Sequence, residues 1–199
     1  MLWEDIMERR LECVLAASLL LGLASSGSAQ EGTAGRQRPA PHFELENWQG
    51  KKVSLNEFRG KVVLLQFFQS GCPRCQQEAP VLERLYREYQ NKGVVILGIS
   101  HDAGGAQAVK KFASDFGITY QLLLGDIEVA VRYIGVTPLY YSFTIPHYFL
   151  IDRQGTIVGE FPADDGKSPD AEVANLQQAI KNVLARSSAT SPAGTPSSN

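Results

Sequence analysis

Val62-Val63-Leu64-Leu65-Gln66-Phe67-Phe68-Gln69-Ser70-Gly71-Cys72-Pro73-Arg74-Cys75-Gln76-Gln77-Glu78-Ala79-Pro80 decides the fold. Its first seven residues are almost wholly apolar and read as a buried strand. Val81, Leu82, Leu85, Tyr86 and Tyr89 then recur at helical spacing. Cys72 and Cys75 therefore sit at a strand-to-helix junction with two residues between them. Thiols so spaced can close into a disulfide and reopen, which makes a two-electron dithiol/disulfide device.

The chain has three cysteines, and Cys13 lies in an N-terminal apolar stretch. A stabilising disulfide gains from closing a long loop, so a bridge across two residues has chemical rather than structural value. Zinc is the competing reading, but it takes about four ligands. Only His42, His101 and His147 could join the pair, none at finger-like spacing. Redox chemistry is preferred to metal binding or an inert bridge, and no cofactor is implied.

Residues 13–24 form an apolar run of signal-peptide length, preceded by Arg9 and Arg10. Gly27-Ser28-Ala29 offers a cleavage site before Gln30. Glu4, Asp5, Glu8 and Glu12 dilute the basic region, and a start at Met7 would give a tidier signal. Residues 1–29 are read as a signal peptide, with an uncleaved membrane anchor as the alternative. Either way the rest of the chain is expected outside the cytoplasm, where disulfides persist.

Removing residues 1–29 leaves about 170 residues, enough for one well-buried core. Two arginines and four acids go with them, so a chain of formal charge -2 becomes nearly neutral. No basic patch suggests nucleic acid. Residues 30–41 read as a linker, 42–186 as the domain, and 187–199 as a disordered Ser/Ala/Thr/Pro tail.

Inside the domain, residues 94–99 read as a second buried strand, and 106–116 and Ile127–Ile134 as helices. Residues 148–151 and 156–161 read as strands joined by the turn Asp152-Arg153-Gln154-Gly155. Ser168, Pro169 and Asp170 open a last helix carrying Val173, Leu176, Ile180, Val183 and Leu184 on one face. These elements make an α/β fold, a mixed central sheet flanked by helices.

The chain resembles the extracytoplasmic TlpA/ResA-type proteins of the thioredoxin fold over roughly residues 41–185. The matches are Lys52-Val53-Ser54-Leu55 with Phe58-Arg59-Gly60-Lys61-Val62-Val63-Leu64, then Cys72-Pro73-Arg74-Cys75 followed by Glu78 and Pro80. Ile145-Pro146 with Phe149-Leu150-Ile151-Asp152 and Gly155 completes them. The resemblance implies a thiol-disulfide oxidoreductase that exchanges its dithiol with protein thiols and disulfides, in bacteria and outside the cytoplasm. Relatives are often reductants serving cytochrome c maturation or repair of mis-oxidised proteins, fed by a membrane or periplasmic electron donor. The reductant direction is preferred here, although the Pro-Arg dipeptide leaves an oxidase open.

Under this resemblance Cys72 is the attacking sulfur, favoured as thiolate by the helix N-terminus, and Cys75 is the resolving sulfur. Pro73 fits the first helical turn. Arg74 either favours the thiolate by its charge or is a solvated surface side chain. Pro146 matches a cis-proline facing the dithiol, with Ile145 presenting its backbone to substrate. Glu78 is expected close to the thiols as a proton relay, or else as a surface i,i+4 charge partner. Pro80 is expected to kink the helix.

Gly71 stands where the family usually has tryptophan, and Gln66 where cytoplasmic thioredoxins carry a buried aspartate. The stretch 135–144 is longer than usual; its aromatics either line a partner surface or pack as core. Two other functions compete. A peroxiredoxin-like peroxidase lacks its usual Pro-x-x-x-Thr-x-x-Cys setting here, and a non-catalytic binding module is at odds with the intact dithiol.

Overall fold

The computed structural model describes residues 37–135, 143–164 and 166–189. The expected signal peptide, most of the linker, the aromatic stretch 136–142 and the tail from residue 190 lie outside the described residues. Strands β1 (Arg38–Pro39), β4 (Val62–Phe68), β5 (Val94–Ser100), β6 (Gln121–Leu124), β7 (His147–Ile151) and β8 (Thr156–Pro162) form one sheet. Its order is β1-β8-β7-β4-β5-β6. β4, β5 and β6 run parallel, and β7, β8 and β1 are antiparallel to their neighbours. A separate ribbon pairs β2 (Glu44–Glu46) with β3 (Lys52–Ser54).

The helices are α1 (Pro73–Tyr89), α2 (Gly105–Phe116), α3 (Ile127–Ile134) and α4 (Pro169–Ala189). All seven residues of β4 are buried, because the strand is covered on both faces. Val62, Leu64 and Phe68 face one core with Leu82 and Leu85 of α1, Phe112 of α2 and Leu176 and Ile180 of α4. Val63, Leu65 and Phe67 face a second core with Val129 and Tyr133 of α3 and with Phe43, Leu45 and Val53 around the ribbon. α1 and α4 thus lie on the same side of the sheet.

The expected order of elements holds, with additions. Arg38 and Pro39, read as linker, pair with Ile157 and Thr156 as an edge strand. β6 was not expected: four residues are too short a run to declare a period. α4 continues to Ala189, past the expected start of the tail. Helix α1 runs unbroken through Pro80.

Glu83 anchors α1 to the segment before β6, accepting from the Thr119 amide at 2.8 Å and its hydroxyl at 2.6 Å. The β7–β8 turn closes on Asp152, whose Oδ1 accepts from the Gln154 and Thr156 amides. Gly155 supplies the φ of +80° there.

Candidate active site

β4 delivers the chain to the N-terminus of α1, at the carboxyl end of a central strand. Cys72 is the N-cap, and its Sγ accepts from the Cys75 amide at 3.2 Å. A sulfur so placed meets the unpaired N–H groups of the first turn. The segment before it is held from the loop that follows β5: Asp102 accepts from the Ser70 amide and, at 2.7 Å, from the Ser70 hydroxyl. Ser100 donates to the same carboxylate, and Gln76 donates to the Ser70 carbonyl at 2.8 Å.

Both cysteines are thiols. Cys72 is partly exposed, whereas Cys75 is fully buried. Burial pushes the Cys75 thiol far up, and the nearby Cys72 and Glu78 push it the same way. Across the cleft the Ile145–Pro146 peptide is cis, and the Ile145 carbonyl oxygen lies 3.9 Å from the Cys72 sulfur. Pro146 is buried and Pro73 is exposed. At Gly71 a Cβ would meet nothing within 4 Å, so the rim there is open.

Glu78 lies under the dithiol with no exposure at all. Its Oε2 accepts from the Tyr148 hydroxyl, and its Oε1 accepts from Arg74 Nε at 2.5 Å. Tyr148 in turn accepts from Gln66 Nε2 at 3.2 Å. These two residues are direct register partners on β4 and β7. Burial raises the Glu78 carboxyl above the usual range, opposed by the Tyr148 and Arg74 hydrogen bonds. Burial, with Glu78 next, holds the Tyr148 hydroxyl well above its usual value.

Arg74 departs from the solvated reading, its side chain being only 18% exposed. Its guanidinium lies back along α1 against Glu78, donates to the Lys167 carbonyl at 2.6 Å, and faces Glu172 of α4 at 3.9 Å. Glu78 is an i,i+4 partner of Arg74, but a buried one rather than a surface one. Among the described residues no group of three His, Cys, Asp or Glu side chains could hold a metal ion.

Sequence reasoning missed Tyr148, Glu172 and Asp102. A tyrosine in a fully buried strand needs a partner for its hydroxyl, so Tyr148 carried a signal. Glu172 looked like an ordinary first-turn acid of α4, and Asp102 like an ordinary loop acid.

A cysteine pair at a helix N-terminus, opposed by a proline loop on this sheet, defines the thiol-disulfide oxidoreductases of the thioredoxin fold. Residues 37–159 match the AhpC/TSA family, and the chain belongs to that family. It is 32% identical over 146 residues to the thiol-disulfide oxidoreductase ResA of Bacillus thuringiensis subsp. konkukian, covering 73% of this chain and 77% of that protein. It is 30% identical over 151 residues to ResA of Halalkalibacterium halodurans, covering 75% and 82%. The crystal structure of a thioredoxin-family thiol:disulfide interchange protein from Chlorobium tepidum superposes with a TM-score of 0.63 at 25% identity, covering 75% of this chain and 97% of that one. The chain is a protein-disulfide oxidoreductase of the ResA type.

Proposed function

We propose that the chain works outside the cytoplasm as a reductant of protein disulfides, through Cys72 and Cys75. The observation that carries the order of events is the contrast between the two sulfurs: Cys72 is accessible at the helix cap, Cys75 is fully buried. Cys72 attacks one sulfur of a partner disulfide, forming a mixed disulfide and releasing the other partner sulfur as thiolate. Cys75 loses its proton and attacks the Cys72 sulfur. The Cys72/Cys75 disulfide forms, the second partner thiolate leaves, and two electrons have passed to the partner. A dithiol donor of the membrane or periplasm returns the pair to the reduced state.

The Cys75 thiol, raised by burial, needs a base beside it when it resolves. Glu78, raised by the same burial and buried one turn further along α1, suits that role. Ile145 and Pro146 form the opposing wall, where the Ile145 carbonyl is available to a partner segment.

Cys75→Ser is expected to trap mixed disulfides with partners, and Cys72→Ser to abolish turnover. Full multi-turnover activity in Cys75→Ser sinks the two-cysteine mechanism. The reduction potential of the couple tests the direction, since each 30 mV is about 1.4 kcal/mol. A value near that of thioredoxin supports a reductant; one near a strong oxidant overturns it. The leader reading expects a mature protein beginning near Gln30, checked by the mass of the exported protein. A mass retaining residues 1–29 in the membrane fraction favours the anchor.

A further inference from the structure

Resolution of the mixed disulfide must dispose of one proton, and the ground around Glu78 is built for more than one carboxylate. Glu172, in the first turn of α4, is 3% exposed. Its Oε2 has no hydrogen-bond partner among the described residues, and neither does Arg74 Nη2, which faces it at 3.9 Å. The other side of the same guanidinium holds Glu78. Two buried carboxylates therefore share a single guanidinium, while the exposed Lys167 also acts on Glu172. With both ionised the buried trio carries a net negative charge, which is unfavourable. One proton removes that charge.

We propose that Glu172, bridged through Arg74, shares one proton with Glu78, so that helix α4 sets the ionisation of the base that serves Cys75. This rests on the reading of Glu78 as that base. In the step itself the Cys75 sulfur gives its proton to the carboxylate pair and its electron pair to the Cys72 sulfur. The bond from Cys72 to the partner breaks, and the partner leaves as thiolate. Glu172 touches no reacting atom and is a positioning residue.

The other groups facing the pair are known. Tyr148 of β7 donates to Glu78, and Gln66 of β4 donates to Tyr148 and cannot ionise. Asp164 and Lys167, from the segment before α4, act on Glu172 in opposite senses, and Tyr120 and Cys75 feel Glu78. Glu172 is itself raised, first by burial and then by Glu78. Arg84 and Asp170 form a separate, exposed contact between α1 and α4, at 3.6 Å.

The test loads Cys72 of the purified protein with a nitrothiophenolate as a mixed disulfide and follows chromophore release by Cys75 against pH. Glu172→Gln removes a like charge, so Glu78 becomes a base at lower pH. The acidic midpoint of the release rate is expected to move down by about half a pH unit or more. Arg74→Gln removes the cation and is expected to move it up by about one unit, while Arg74→Lys keeps it near the wild-type position. A merely structural role would lower rates or melting temperature and leave the midpoint in place. An unmoved midpoint in Glu172→Gln, or a shift upward, overturns the proposal. Glu78→Gln separates the two readings: if it removes the acidic limb, the base reading survives whatever Glu172 does. If it leaves that limb intact, both readings fall.

Discussion

Tyr148→Phe isolates one hydroxyl at the centre of the buried network. The ring is fully buried and stays in place, so no cavity opens. Two hydrogen bonds go: the one donated to Glu78 and the one accepted from Gln66 at 3.2 Å. A bond to a charged group is worth about 1.5–3 kcal/mol and a neutral one about 0.5–1.5 kcal/mol. The variant should therefore lose about 2–4.5 kcal/mol where Glu78 is ionised. Where Glu78 is protonated its bond is of the neutral kind, and the loss should shrink by about 1–1.5 kcal/mol, equivalent to roughly one pH unit of proton affinity. The sign follows from the raised Glu78 carboxyl. Its contribution to stability is fully present below the unfolded value and is lost as pH rises through the folded value. Without the hydroxyl the folded value rises further, so the destabilisation grows with pH across the window above the usual carboxylate range. Urea unfolding of both proteins over a pH series reads this directly. A difference between them that is the same at every pH would refute the reasoning.

Asp102→Asn replaces an acceptor oxygen that serves Ser70 and Ser100. It should cost about 1–2 kcal/mol and speed hydrogen exchange at the Ser70 and Cys72 amides. Leu176→Ala, at a fully buried position of α4, should cost about 2–5 kcal/mol in chemical denaturation. At Gly98 of β5 a Cβ would lie 2.7 Å from Leu122 Cδ2 and 3.2 Å from Phe68 Cε1. Gly98→Ala should lower stability by about 1–3 kcal/mol, whereas Gly71→Ala, with nothing within 4 Å of the new Cβ, should leave the melting temperature nearly unchanged.

What could be read in advance was local. The apolar run of β4, the helical spacing after Cys75 and the Asp152-to-Gly155 turn each carry their own signal within a few residues. The cysteine pair and Ile145-Pro146 are likewise short motifs. β6 and β1 were not legible, because strands of four and two residues are defined by their neighbours in the sheet rather than by a period of their own. The network under the dithiol was illegible for the same reason on a larger scale. Gln66 meets Tyr148 only through the β4–β7 register, and Arg74 meets Glu172 only because α4 packs beside α1. Nothing near Arg74 in the chain points to Glu172, a partner nearly a hundred residues away in the sequence.

The family match ends at residue 159, whereas α4 spans Pro169–Ala189. The dithiol and the proline loop thus lie inside the segment the family model covers, and Glu172 lies beyond it. Proteins that share the first can diverge in the second without touching the cysteines. The final helix is then a place where evolution can retune how readily the second sulfur fires while the recognisable motif stays constant. A chimera that exchanges only this helix between two relatives would transplant a pH response and leave the redox pair as it was.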